Sequence, residues 1–284
     1  MTARKNLSRV RRFVPILVAS AVAATAVACG EVGSGPNAPA AIELQKLNAV
    51  AAVVGDSLRD VSGVAVQIHA IVRNLKGDII PDAPVRYVYA DASRDTAVFV
   101  DSITGYIVAL KALGITTPTA RIAARVGNSL QIIRTIAVTV RPDSADRGGA
   151  TTVAPLLVSP PDTGAAGAAA NTSGPLAVVV RHVSDTITVV PNWLVKYEVI
   201  QPANPTNDST KSVFLVDDQQ KLSSIDTTDA SGSVARYVRV RASIFPATTA
   251  DDSAVVLVTV SYKGKNVKGA PIRIVVPVRQ KPKS

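Results

Sequence analysis

The chain has 284 residues, with 31 basic and 21 acidic side chains, 47% hydrophobic residues, 4% aromatic residues, two His and one Cys. Val, Ile and Thr make up about 30% of it, and Glu occurs only as Glu31, Glu43 and Glu198. β-branched side chains fit a pleated surface and lose rotamer freedom in a helix, so a mostly helical protein is excluded; so are a disordered chain, by the hydrophobic fraction, and a multi-thiolate zinc site or disulfide scaffold, by the single Cys.

Residues 1–12 carry Arg4, Lys5, Arg9, Arg11 and Arg12 and no acid. Phe13–Ala28 is uncharged, ends in Ala26-Val27-Ala28, and is followed by Cys29. A basic start, an apolar middle and a small-x-small end predict a secretory signal peptide over 1–28. The run is shorter than the ~20 apolar residues of a spanning helix. The segment resembles a bacterial lipoprotein signal, in which the Cys after a Leu-small-small box receives lipid and becomes the first mature residue. Ala28 and Cys29 match that box; Ala26 stands where Leu is usual, and Val27 where a small residue is usual. The other reading is an ordinary secretory cut ahead of a Cys. The resemblance implies covalent lipid on Cys29, a membrane as partner, and a place in the cell envelope. Gly30 at the next position favours the outer membrane or cell surface. Each buried methylene contributes ~0.8 kcal/mol, so two or more acyl chains anchor durably. No other cofactor is expected.

The net charge of +10 is concentrated at the ends. The signal holds five cations, and Lys263, Lys265, Lys268, Arg273, Arg279, Lys281 and Lys283 add seven near the C-terminus with no acid among them. The body between is nearly neutral. Basic stripes interleaved with aromatics, the footprint of nucleic-acid binding, are missing.

Residues 29–42, rich in Gly, Pro and Ala, read as the lipidated Cys29 and a flexible tether. Residues 143–150 read as a linker, and 281–284 as a basic tail. Between them the pattern alternates with a period of two. Val64, Val66, Ile68, Ala70 and Val72 share one strand face, opposite Gln67 and His69. Such alternation marks antiparallel strands with one face on a core. For 43–142 it predicts strands near 48–54, 62–73, 84–90, 96–101, 105–110, 119–127 and 130–141. For 151–280 it predicts strands near 152–158, 176–183, 186–190, 193–200, 212–216, 234–241, 254–262 and 270–278, with an exposed Ala-Gly loop at 159–175. The expected fold is all-β, two Greek-key sandwich domains after the cleaved signal.

Two stretches are similar to bacterial immunoglobulin-like domains. Ala97–Leu110, with Asp101 and Gly105 at its turn, resembles a hairpin of that family, and Ala120–Ala124 with the valine-rich strand after it continues the likeness. Thr227-Thr228-Asp229-Ala230-Ser231-Gly232-Ser233-Val234-Ala235 resembles the turn of invasin-type domains, with Pro191–Val199 as the third strand and Ala254–Val260 as the penultimate one. Asp accepts turn N–H groups, and Gly takes φ > 0 at little steric cost. The resemblance implies stalk-like envelope modules that act in adhesion or interaction, with an unknown protein or glycan partner and no catalysis. The alternatives are a carbohydrate- or envelope-binding accessory subunit and a passive structural spacer.

Candidate chemistry is sparse. Serine-nucleophile, phosphate-loop and H-E-x-x-H patterns are absent, so no catalytic residue is assigned. His69 and His182 read as solvated or edge-packed. Asp217-Asp218 and Asp251-Asp252, with Asp226 and Asp229, supply oxygens of the kind Ca²⁺ takes in sixes to eights. They lie in turns without EF-hand spacing, and no metal is assigned. Trp193 and Tyr197, four apart on one strand face, form either core anchors or a small sugar-stacking platform. Tyr87, Tyr89 and Phe99 read as core or sheet surface.

Overall fold

A computed structural model describes residues 35, 37–47, 49, 51–91, 98–110, 119–149, 152–160, 171–183, 187–203, 210–245 and 252–281. The signal, Cys29, most of the tether, Asp251 and residues 161–170 of the Ala-Gly loop lie outside them. Strand is the only regular structure among the described residues, as the β-branched composition requires. No helix there is long and apolar enough to cross a membrane.

The first eight strands are β1 (Pro39–Leu44), β2 (Ala51–Val53), β3 (Ala70–Asn74), β4 (Arg86–Tyr89), β5 (Val98–Val100), β6 (Ile107–Ala109), β7 (Thr119–Val126) and β8 (Leu130–Thr139). They form a sheet in the order β2-β8-β7-β4 and two pairs, β1-β3 and β5-β6. Then come β9 (Ser144–Arg147), β10 (Leu156–Val158), β11 (Leu176–Val183), β12 (Ile187–Val189), β13 (Leu194–Gln201) and β14 (Val213–Val216). The last six are β15 (Ile225–Thr227), β16 (Ser233–Val240), β17 (Asp252–Thr259), β18 (Ser261–Tyr262), β19 (Lys265–Asn266) and β20 (Ile272–Gln280). These form one sheet in the order β10-β20-β17-β13-β15, another in the order β12-β11-β16-β14 with β9 also on β11, and a small β18-β19 hairpin.

The two large C-terminal sheets face one another across a single core. Alternate residues supply it: Val178 and Val180 from β11, Val195, Tyr197 and Val199 from β13, Val234, Val238 and Val240 from β16, and Val256 and Val258 from β17. Strand order assigns the fold class. β10 runs parallel to the last strand β20, which pairs with β17, which pairs with β13; β11 pairs with β16, which pairs with β14. That is the division of an immunoglobulin-like sandwich. The N-terminal half repeats the first series, with β2 parallel to β8, then β7, then β4.

By contacts the chain falls into two compact units. One takes in residues up to Leu44, Ala70–Arg86 and Ala124–Ile132. Within it β1 lies antiparallel to β3, and Arg73 Nε donates to Glu43 across that pair at 2.9 Å. The other takes in Gln45–His69, Tyr87–Ala123 and Ile133 onward, including the whole C-terminal sandwich.

The structure differs from the expected elements in four places. Pro39–Leu44, read as tether, is β1. Ser144–Arg147, read as linker, is β9, which pairs with β11 over Val178–Arg181. The single strand expected over 62–73 keeps only Ala70–Asn74 in a ladder; before it, Asp60 Oδ1 accepts the N–H groups of Ser62 and Val64 and folds a turn. The strand expected over 254–262 divides into β17, which ends at Thr259, and β18, while β15 and β19 went unpredicted because Ile225-Asp226-Thr227 and Lys265-Asn266 carry too few apolar residues to show a period.

The Asp229 to Gly232 turn does the mechanical work its sequence implies. Asp229 Oδ1 accepts from Ser231 N–H at 2.8 Å and Ser233 N–H at 3.0 Å. Gly232 has φ +70°, and a Cβ there would stand 2.8 Å from Val180 O and from the Val189 side chain. Gly232→Ala should therefore destabilise the chain by about 2–3 kcal/mol. Gly174→Ala, with no atom within 4 Å of its Cβ, should change stability by less than about 1 kcal/mol. Urea unfolding of both variants checks this.

Candidate functional site

Two polar constructions stand out, both within the second unit. In the first, the loop at 54–63 meets the β18–β19 hairpin. Asp56 is its centre: Arg59 donates to it through Nη2 at 2.6 Å and Nε at 3.0 Å, Ser57 N–H at 2.7 Å, and the Tyr262 hydroxyl as well, while Lys263 Nζ lies 3.3 Å away. Burial pushes the Asp56 carboxyl up, but the bonds from Arg59, Tyr262 and the Ser57 amide outweigh it and hold the group well below the ordinary carboxylate range. Burial, then the Asp56 carboxylate, pushes Tyr262 up to about 12.

Aromatic packing completes this clamp. The Arg59 guanidinium lies 5.2 Å from the Tyr262 ring centre, and Lys263 Nζ 5.4 Å from it. Trp193 meets Tyr262 edge-on at 6.1 Å. Gly63 (φ +75°) lets the loop close on the hairpin, since a Cβ there would stand 2.7 Å from Lys263 N. Nearby, Thr139 Oγ1 donates to Pro191 O at 2.6 Å.

The second construction is an open groove of about 440 Å³ lined by Asp217, Asp218, Asp226, Asp229, Arg236 and neighbouring residues of β15 and β16. Arg236 sits on the inward face of β16 and is 8% exposed. It crosses to the opposite sheet, pairing with Asp226 and donating to Ser223 Oγ at 3.0 Å and Ile225 O at 2.5 Å. β15 is the edge of its sheet, and this side chain covers part of that edge, as proteins commonly do with inward charges.

The sugar-stacking reading of Trp193 and Tyr197 is corrected. Trp193 is 3% exposed and Tyr197 is fully buried. Both belong to the sandwich core, because four residues along β13 returns to its inner face. The Tyr197 hydroxyl donates to Leu176 O and Val234 O, each at 3.2 Å, and burial together with the Asp226 charge pushes its pKa far up.

The acidic pairs are not brought together. Asp217 and Asp218 line the groove, whereas Asp252 opens β17 and accepts from Ser253 N–H. Among the described residues no group of three or more His, Cys, Asp or Glu is placed to hold a metal ion. His69 is exposed, and His182 Nδ1 lies 2.6 Å from Asp143 Oδ2. Tyr87 is buried, Phe99 is exposed on β5, and Tyr89 donates its hydroxyl to Val98 O.

Sequence reasoning missed Asp56, Arg59, Tyr262 and Lys263, since Asp56 and Tyr262 stand 206 positions apart and no local pattern joins them. Arg236 did carry a signal: it is the one charge on the Val234, Val238, Val240 face.

No protein-family model matches the chain, and no curated protein matches it. Among solved structures it is similar to the Yersinia pseudotuberculosis adhesin InvE at 14% identity and TM-score 0.33, over 87% of this chain and 61% of that one. It is similar to the S-layer protein rSbsC(31-844) at 11% and 0.28, over 86% and 28% of the two chains. It is similar to human protocadherin-24 EC1-2 at 13% and 0.27, over 86% and 100%. The chain thus spans about three fifths of the InvE chain and under a third of the S-layer one. At such scores the fold rests on the strand order above.

Linkage gives the clamp a pH signature. The Asp56 carboxyl is depressed on folding, so its contribution is present above about pH 4 and is lost as pH falls further. Tyr262 is raised, so its contribution is complete below about pH 10 and is lost as pH rises toward 12. Urea midpoints across pH should fall less steeply below pH 4 in Asp56→Asn than in the parent, and less steeply above pH 10 in Tyr262→Phe. At pH 7 Asp56→Asn should lower stability by about 2–3 kcal/mol.

Proposed function

We propose that this chain is a non-catalytic interaction module of the cell envelope, exported and held to a membrane by lipid on Cys29. Its β-sandwich body presents loops to a protein or glycan partner at the outer membrane or cell surface. The clamp at Asp56 is the observation that carries this reading: a loop of the N-terminal half and a hairpin near the C-terminus are joined by a half-buried, charge-assisted network, which suits a stiff projecting body. The best-placed polar side chains serve the fold itself, with Asp56 and Asp229 engaged by donors from the chain and Tyr197 and Tyr262 held protonated, which agrees with binding rather than catalysis. The carbohydrate-binding alternative loses its aromatic platform with Trp193 and Tyr197 in the core.

Metabolic palmitate labelling of the full chain tests the anchor. The expected result is a labelled, membrane-associated product, with label and association both lost in Cys29→Ala. An unlabelled soluble product from the parent would contradict it. Pull-down on whole envelope fractions tests the interaction, and recovery of a protein or glycan partner is expected.

A further inference from the structure

The groove has a floor that the fold leaves unfinished. β16 pairs with β14 over Tyr237–Val240 and with β11 over Ser233–Arg236. β14 stops at Val216, so over Ser233–Arg236 the side of β16 that β14 would have covered is an open sheet edge, in the wall of the groove. Antiparallel ladders turn the main-chain groups of successive residues to opposite sides. Val180 N–H donates to Gly232 O, which sets Gly232, Val234 and Arg236 toward β11 and Ser233 and Ala235 toward the groove. Ser233 is satisfied there by both the carboxylate and the amide of Asp229. The Ala235 carbonyl accepts Arg236 Nη1 at 3.1 Å, and its N–H opens onto the groove.

Arg236 lines the same groove with its guanidinium already engaged by Asp226, Ser223 Oγ and Ile225 O, so the groove's unused main-chain donor is Ala235 N–H. The surrounding charge is acidic. Asp217 and Asp229 use only Oδ1 to cap their turns, their Oδ2 atoms accept nothing among the described residues, and Asp218 makes no hydrogen bond or ion pair there.

We infer that this groove takes an extended peptide segment carrying Lys or Arg, laid against the open edge of β16 in line with β14. A carbonyl of it accepts from Ala235 N–H, and its cation meets Asp217, Asp218 and Asp229. Strand addition of this kind draws affinity from main-chain bonds and selectivity from side-chain pockets and charge. The inference rests on the reading of the chain as an interaction module and names the chemistry of its partner.

Fluorescence anisotropy with the full chain tests it, using three blocked, fluorescein-labelled peptides: alternating Val-Lys, alternating Val-Glu, and Val-Lys N-methylated on alternate amides. The Val-Lys peptide should bind about tenfold or more tightly than either of the others, and more weakly as salt rises. The double variant Asp217→Asn with Asp218→Asn keeps a turn-capping oxygen and should weaken Val-Lys binding about tenfold, with its urea midpoint reported alongside. Absence of Val-Lys binding would overturn the inference, as would equal binding of the Lys and Glu peptides, indifference to N-methylation, or an unchanged affinity in the double variant. Envelope pull-down with the parent chain reports separately on the module reading.

Discussion

A carboxylate taken out of water is a liability unless donors replace the water it loses. At Asp56 they do. Arg59 and Ser57 bring donors from its own loop, and Tyr262 brings one from a hairpin 206 positions on. The competition is visible in the direction of its pKa: burial alone would raise it, yet the bonds dominate. A network that depends on partners so distant in sequence forms only when both segments are already in place. Arg59, with its Nη1 on Gly63 O and its face on the Tyr262 ring, ties the loop's own turn to the hairpin.

The same local device shapes the turns on which this arrangement depends. Asp60, Asn74, Asp101, Asp217 and Asp229 each accept two main-chain N–H groups on one side-chain oxygen, two to four residues ahead. Asp and Asn can do this because their short side chains reach their own backbone. At Asp60 and Asp229 a positive-φ Gly follows three residues later, where the chain passes too close to a neighbour for any Cβ. Of the acidic residues considered as calcium ligands, Asp217 and Asp229 are turn-makers, and the groove they border lies where β14 ends at such a turn.

Much of this was legible from residues alone. Period-two alternation placed β7, β8, β11, β13 and β16 within a residue or two, because strands half on a core must alternate. Asp101, Gly105, Asp229 and Gly232 marked their turns because the chemistry is local. What stayed hidden was non-local or weakly apolar. β1 lies in a Pro- and Ala-rich stretch, β9 reads as polar linker, and β15 as a loop, since their pairing is decided by strands far along the chain. Trp193 and Tyr197 showed their shared face but not its direction; only the second sheet decides that they point inward. Arg236 interrupts the apolar face of β16 but was passed over, because its meaning needed Asp226 across the sandwich.

The central claim is that Asp56 and Tyr262 act on one another rather than each stabilising its own segment. A double-mutant cycle measures this directly, with Asp56→Asn, Tyr262→Phe and the pair compared by urea unfolding at pH 7. A coupling energy of about 1–3 kcal/mol is the predicted result. Additivity within about 0.5 kcal/mol would mean that the loop and the hairpin do not depend on each other, and would contradict the account.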